Sequence, residues 1–453
     1  MRKIRFISAL LIVVLLVLVN AGSALNADSE DTVKSYIERF QNDTGCCFVS
    51  AAVYSGDRVS FYGDPDALYQ IGSMTKAFTG LAVQKLISGG KISPDNKVSE
   101  ILPWYLAYYD SSPCEITIFQ LLCQTSGYTN SETEYPGAEI GMSLQEWAAG
   151  MSGKNLHSVP GEKYAYSNVN YNLLGAVIER VTGRSYRDYM ENEIFAPLGL
   201  NDTRVVPDHG KDNIIKGSRL GYRKAFTYEI PVAEGRIPAG YFYSNAKDMA
   251  RWMQIWMGIA DIPEEYKDIV SKVKDRLKES GDYYSGWEVT RSGDIGHSGG
   301  TPNYSSRMVF SKTEKFGALV LTNLNVAAST DSLCNGLFSL VKDGMAGDIA
   351  KDVWTIFDII FSAVSAAGIL LAGYVLFARK RKALLITGIF LLLPVISVCT
   401  VMPLIFGAGL GEMMRVWAPY SFTGGLTLLV TDLIVICIRV LILGNNEDRK
   451  KTS

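Results

Sequence analysis

Ser73 and Lys76, in the run Gln70-Ile71-Gly72-Ser73-Met74-Thr75-Lys76, carry the chemistry most readily read from this chain. A serine and a lysine three residues apart share one face of a helix about one turn apart. The hydroxyl is a poor nucleophile until its proton is taken, and a neutral lysine beside it can take it. Placing the serine at a helix start adds a backbone N–H and the positive end of the helix dipole, both suited to an anionic intermediate. This is the logic of Ser-x-x-Lys acyl transfer. The tetrapeptide alone is loose: five matches occur, starting at Ser73, Ser88, Ser244, Ser271 and Ser339. Only Ser73 follows a glycine and opens a helical pattern, with Met74, Ala77, Phe78, Leu81, Ala82 and Leu86 at helical spacing. Gly89-Gly90 supplies the stop.

A serine nucleophile also needs a proton route to the leaving group and a second oxyanion donor. Tyr166-Ser167-Asn168 ends a turn-rich segment that begins at Pro160-Gly161. A helical run follows at Tyr171, Leu174, Val177 and Ile178 and stops at Gly183. Loop residues held by a rigid element suit catalysis. In a chain with 24 tyrosines, a tyrosine-rich surface loop would be the preferred reading were Tyr166 alone. The third segment, Asp294-Ile295-Gly296-His297-Ser298-Gly299-Gly300-Thr301, precedes two strand-like runs, Tyr304–Ser311 and Lys315–Thr322. Glycines there let a substrate backbone lie along a strand edge, and the Gly300 N–H is the candidate second oxyanion donor. His297, at an ordinary pKa of about 6.5, would titrate near neutrality and modulate activity.

The flanks of the chain set its location. Arg2, Lys3 and Arg5 precede an aliphatic run, Leu10 to Val19, and then Ala21-Gly22-Ser23-Ala24, the layout of a secretory signal or N-terminal anchor over 1–25. Three apolar runs near the C-terminus, about 353–377, 383–409 and 418–443, are each long enough to span a bilayer. Arg379-Lys380-Arg381-Lys382 and Arg449-Lys450-Lys451 put the first connecting loop and the tail 444–453 in the cytoplasm, and hence the preceding domain outside. Asp358 and Arg439 lie near span ends, where side chains snorkel to water. Asp432 is open to either a structural or a functional reading.

The net charge of −2 implies no nucleic-acid surface. Three histidines and no zinc-spaced Cys/His cluster argue against a metal enzyme. Cys46, Cys47, Cys114, Cys123 and Cys334 are exported. Their odd number leaves at least one unpaired or paired between chains, and a Cys114–Cys123 bridge stays open.

In order and content, Ser73-Met74-Thr75-Lys76, Tyr166-Ser167-Asn168 and His297-Ser298-Gly299 resemble the three motifs of the serine β-lactamase/penicillin-binding superfamily. The resemblance is to its branch of class C β-lactamases, D-alanyl-D-alanine carboxypeptidases, D-aminopeptidases and esterases. Leu121–Tyr128, Pro160–Gly175, Leu198–Thr203 and Gly240–Trp252 resemble further segments of that branch. The resemblance implies an α/β plus α fold: an antiparallel sheet flanked by helices with an all-helical lobe. Here that domain occupies 30–346 and is followed by three transmembrane helices over 353–443. It implies Ser73 as acylated nucleophile, Lys76 as base or partner of the base, and Tyr166 as proton shuttle. Asn168, His297, Ser298, Gly299 and Gly300 would bind substrate, with no cofactor and no metal. Two departures matter: Gln124 stands where a histidine is usual, and His297 where typical β-lactamases carry lysine. The second turns the expectation toward a membrane-anchored peptidase or esterase acting on a small peptide, amide or ester, with weak β-lactamase activity at most. The alternative is a penicillin-binding sensor that signals through its membrane helices.

Overall fold

The computed structural model describes residues 25–26, 30–129, 139–279 and 283–452. The expected signal or anchor over 1–25 lies, but for Leu25, outside them. Helix α1 (Glu30–Thr44) leads into the antiparallel pair β1 (Val49–Ser55) and β2 (Arg58–Tyr62). Helix α2 (Thr75–Ser88) follows. It is buried almost all the way round from Thr75 to Leu86, which is the mark of a core helix rather than a surface one. Phe78 stacks on Trp252 with ring centroids 4.0 Å apart, fixing α2 against the helix that carries the tryptophan.

Helix α3 (Asn168–Thr182) starts at Ser167, whose hydroxyl accepts from the Val169 N–H at 3.3 Å, and ends at Gly183. A small hairpin, β3 (Ser218–Gly221) and β4 (Lys224–Thr227), precedes α4 (Ala246–Met257) and α5 (Glu264–Glu279). Five strands then run in succession: β5 (Tyr283–Tyr284), β6 (Trp287–Val289), β7 (Ile295–Thr301), β8 (Tyr304–Phe310) and β9 (Phe316–Thr322). Helix α6 (Ala327–Asp343) closes the domain.

The main sheet is wholly antiparallel, in the order β5-β6-β7-β8-β9-β1-β2. Its central strands are buried on both faces, which is why β8 and β9 read as near-continuous buried runs without polar alternation. Val53, Val309 and Val320 pack under α1 and α6. Ala52, Met308 and Leu319 pack on the other side against α2, α3 and α4. The expected antiparallel sheet flanked by helices is therefore present, and the two strand runs after Gly300 fall within a residue or so of their expected bounds.

Three long apolar helices follow: α7 (Val353–Phe377), α8 (Arg381–Phe406) and α9 (Tyr420–Thr452). Each is long and apolar enough to cross a membrane, with mean hydropathies of 2.2, 2.6 and 2.6. They make the chain a membrane-anchored, multi-pass protein. Asp358 differs from its expectation. It does not snorkel: it is fully buried and accepts from the Arg223 N–H at 2.7 Å and the Ser421 hydroxyl at 2.6 Å. Arg439 donates to the Ala378 carbonyl at 2.7 Å. The cysteines, Cys114 and Cys123 included, are free thiols among the described residues.

Candidate active site

Ser73 sits in a tight 3-10 turn, Gly72–Met74, that runs straight into α2. The α-helix thus starts two residues after the serine, and Lys76 occupies its first turn. Gly72 is at φ +52°, a left-handed conformation costly to any residue with a side chain. A Cβ there would collide with the backbone of Gly299 and Gly300, and a Cβ at Gly299 would collide with the Ile71 carbonyl. Backbone lies on backbone at this point, so the serine turn and strand β7 meet with nothing between them. Ser306 adds a tie by donating its hydroxyl to the Ile71 carbonyl at 2.8 Å.

Lys76 is completely buried. Its Nζ lies 2.6 Å from the Ala239 carbonyl, 2.7 Å from Asn168 Oδ1 and 2.9 Å from Ser73 Oγ. Among the described residues no carboxylate pairs with it, and burial pushes its pKa well below that of an ordinary lysine. Tyr166 packs beside it, the amine 4.7 Å from the ring centroid, with the phenol in hydrogen-bonding reach of Ser73. Burial raises the phenol above its ordinary value, and the hydrogen bond to Ser73 opposes this only in part. Asn168 is the first residue of α3, so one helix start presents both the amide and, from the preceding loop, the tyrosine.

His297 projects from β7 toward the same pocket, its ring centroid 6.1 Å from that of Tyr166. Its Nε2 is 3.2 Å from the Tyr283 hydroxyl and its Nδ1 2.6 Å from the Ser298 carbonyl. The expected titration near neutrality does not fit this environment. Burial lowers the imidazole pKa to about 4, the nearby Glu288 pulling the other way and Lys76 adding to the fall. Ser298 alternates to the opposite face of β7. Its hydroxyl donates to Asp331 Oδ2 at 2.9 Å and accepts from Arg307 at 2.7 Å, which leaves its backbone to the cleft side. Strand β6 pairs only with Ile295 and Gly296, so among the described residues that edge of β7 has no strand neighbour from His297 onward. The Gly299-Gly300 stretch is therefore both the floor under Ser73 and an open strand edge.

The structure thus brings Ser73, Lys76, Tyr166, Asn168, His297, Gly299 and Gly300 together from three separate stretches of chain. The other Ser-x-x-Lys matches lie elsewhere: Ser88 ends α2, Ser271 lies on α5 and Ser339 on α6. The fifth match, Ser244, lies in Tyr243-Ser244-Asn245, another Tyr-Ser-Asn run, which is architectural: Asn245 caps α4 by accepting from the Asp248 N–H at 2.8 Å. Three contributors were not read from the sequence as part of the site. The Ala239 carbonyl is backbone, and Tyr283 is one tyrosine among many. Gln124 is buried at φ +60°, and its Oε1 accepts from the Ser167 N–H at 3.0 Å, clamping the Tyr166 segment. Its departure from the motif was visible; its clamping role was not.

The family model described as Beta-lactamase matches residues 33–337. Protein flp of Staphylococcus aureus (strain MRSA252) is 32% identical over 273 residues, which is 58% of this chain and 54% of that protein. Penicillin-binding protein 4* of Bacillus subtilis (strain 168) is 29% identical over 274 residues, 54% of this chain and 58% of that protein. The chain spans little more than half the length of these curated relatives. Among solved structures, the octameric penicillin-binding protein homologue from Pyrococcus abyssi superposes with a TM-score of 0.60 at 21% identity, over 74% of this chain and 81% of that one. A class C beta-lactamase in complex with cefoxitin gives 0.58 at 17% identity, over 69% of this chain and 98% of that one. At these identities the structures carry the fold and not the substrate.

Proposed function

We propose, on the premise that the chain belongs to the beta-lactamase family, that it is a membrane-anchored serine hydrolase working through a Ser73 acyl-enzyme on peptide, amide or ester substrates. One observation carries this: the surroundings of the Lys76 amine. Two carbonyl acceptors, Asn168 Oδ1 and Ala239 O, use two N–H bonds, and the third direction points to Ser73 Oγ. A neutral amine has two N–H bonds and one lone pair, so the lone pair is left facing the hydroxyl it would deprotonate. The raised phenol of Tyr166 argues against a tyrosinate as the base.

In this reading the Ser73 proton passes to Lys76 as Oγ bonds to the substrate carbonyl carbon. The N–H groups of Ser73 and Gly300 receive the oxyanion. Tyr166 relays the proton to the leaving amine or alcohol as its bond to carbon breaks. Water then adds to the ester, releasing the acid and restoring the Ser73 hydroxyl. Neutral His297 serves the pocket as a hydrogen-bonding wall. The domain over 30–346 would face the outside, with the tail 444–453 in the cytoplasm. D-residue peptides and esters are the preferred class, and β-lactams are substrates or slow ligands. The names of the penicillin-binding relatives make a β-lactam a natural probe.

The test is intact-mass analysis after a β-lactam and, separately, a fluorophosphonate, with Ser73→Ala alongside. One adduct per chain is expected, lost in Ser73→Ala; no adduct with either probe sinks the enzyme reading. A sensor reading is favoured by one specific path. Ser218 of hairpin β3–β4 donates its N–H to the Asn303 carbonyl at 3.2 Å, and Asn303 Nδ2 donates to the Tyr228 carbonyl at 2.8 Å. The hairpin thereby joins the membrane helices to the turn just after Gly300. A β-lactam adduct that persists for hours without product would favour that reading over turnover.

A further inference from the structure

The catalytic domain meets its membrane helices through a built joint. Arg219 of β3 gives its three guanidinium nitrogens to the carbonyls of Ala418 (2.5 Å), Arg415 (2.8 Å) and Met414 (2.6 Å), all in the connection between α8 and α9. The guanidinium also lies over Tyr420 and Tyr228, 4.7 and 5.2 Å from the ring centroids. The hairpin tip reaches down to α7, where Arg223 bonds Asp358 and the Tyr222 hydroxyl is 3.4 Å from Ser365. This is the bundle end opposite the basic loop 379–382. Trp354, Trp417, Tyr420, Tyr222 and Phe226 gather there, the composition of a membrane–water interface.

A groove of about 410 Å³ opens in this joint. One wall is Val416 and Trp417 of the α8–α9 connection. The other is Ile230 to Val232, and Tyr241 and Pro302 also line it. Two of these lining residues are chain neighbours of backbone at the serine turn. Pro302 follows Gly300 by two residues, and the residue before Tyr241, Gly240, is so close that a Cβ on it would stand 3.8 Å from the Ser73 nitrogen. A second cavity of about 480 Å³ shares Ile230, Pro231, Val232 and Tyr241 with the first and extends the trough. Arg236 and Glu412 also line the groove, so a cation and a carboxylate stand among its apolar walls.

We propose that this groove receives the hydrocarbon-bearing end of a membrane-resident amphiphile, so that the site acts on lipid-tailed peptides, amides or esters presented from the outer leaflet. The inference rests on the hydrolase reading and specifies its substrate class. A groove for a water-borne peptide needs no wall from the membrane connection. This one is completed by Val416 and Trp417 at the height of the interfacial aromatics, and its lining residues Tyr241 and Pro302 are one and two residues along the chain from Gly240 and Gly300, which lie at the serine turn. Each methylene buried there strengthens binding about fourfold.

The test uses the full-chain protein in phosphatidylcholine nanodiscs and two fluorophosphonates differing only in alkyl length, ethyl and hexadecyl. Ser73 Oγ bonds to phosphorus, the P–F bond breaks, fluoride leaves, and the hydroxyl proton passes to Lys76 and on to water. The readout is the ratio of long-chain to short-chain labelling rates at Ser73 by intact mass. A ratio above about 10 in the native chain, falling toward 1 in Val416→Arg, is expected; Val232→Arg on the facing wall gives the same reading should the first variant fail to fold. A native ratio near 1 overturns the inference, as does a high ratio that survives both substitutions, because bilayer partitioning alone would then explain it. Brisk short-chain labelling with either result removes this inference and leaves the hydrolase reading standing. No labelling by either probe removes the hydrolase reading and this inference together.

Discussion

The two ends of helix α2 each carry a lysine, and they treat it in opposite ways. At the N-terminal end Lys76 faces only neutral oxygens: a hydroxyl, a side-chain amide and a backbone carbonyl. Nine residues on, Lys85 meets the Glu193 carboxylate at 3.0 Å, the Tyr266 hydroxyl at 2.6 Å and Glu265 at 3.7 Å. Depth and partner both differ: Lys76 is fully buried, whereas the Lys85 side chain keeps 19% of its exposure and has carboxylates beside it. Without a counter-charge, desolvation dominates and Lys76 falls far below its ordinary pKa. With one, Lys85 rises above it despite its own burial. On the proposed reading, a fully buried lysine with no carboxylate beside it serves as a base, and a partly buried one between carboxylates serves as a strut.

The sharpest way to break that contrast is to make the first lysine permanently charged. Arginine cannot deprotonate near neutrality. Lys76→Arg is expected to lower kcat/KM, or the rate of Ser73 labelling, by roughly 10²–10⁴-fold, the range for losing a general base. A variant that keeps a native melting curve and more than a tenth of the native rate would show that Lys76 acts as a charge and not as a base.

The contrast also explains what sequence could and could not reveal. Ser73, Lys76, Tyr166, Asn168 and His297 were legible because each sits in a short motif with its own local structure, and the motifs keep their order. The main sheet was legible from the strand runs after Gly300. The charge state of Lys76 was not, because it depends on Ala239 and Asn168, residues far off in the chain, and on the lack of a carboxylate that only folding determines. His297 failed for the same reason: an imidazole between glycines looks solvent-exposed in sequence, yet Tyr166, Tyr171 and Tyr283 crowd over this pocket. Asp358 looked free to snorkel because the hairpin tip that covers it lies 135 residues away.

His297 gives the next test, by pH. Its folded pKa of about 4 lies below the unfolded value near 6.5. Below pH 6.5 the unfolded chain therefore binds a proton that the folded chain refuses, so stability falls as pH drops from 6.5 toward 4. The full difference is on the order of 3 kcal/mol. Native protein should lose melting temperature over that window, and His297→Asn should lose distinctly less. The acid limb of kcat/KM near pH 6.5, if there is one, should persist in His297→Asn because another group sets it. A limb abolished by the substitution would mean that the imidazole titrates after all.

At the far end of α2 the effect is the smallest. Lys85→Met removes a cation whose partners are partly open to water, where ion pairs contribute about 1 kcal/mol or less. The signs differ for the two partners. Lys85 is raised, so its contribution is complete at neutral pH and is lost only as pH climbs past the ordinary lysine value. Glu193 is lowered, so its contribution disappears as pH falls through and below the ordinary glutamate value. The melting difference between Lys85→Met and the native chain should accordingly be flat from about pH 5 to 10 and close toward zero in acid. Labelling of Ser73 should stay within about twofold, since Lys85 touches none of the groups around the serine. A loss as deep as that of Lys76→Arg would mean that the two ends of α2 share one electrostatic site, and the partner-by-partner account of the two lysines would fail.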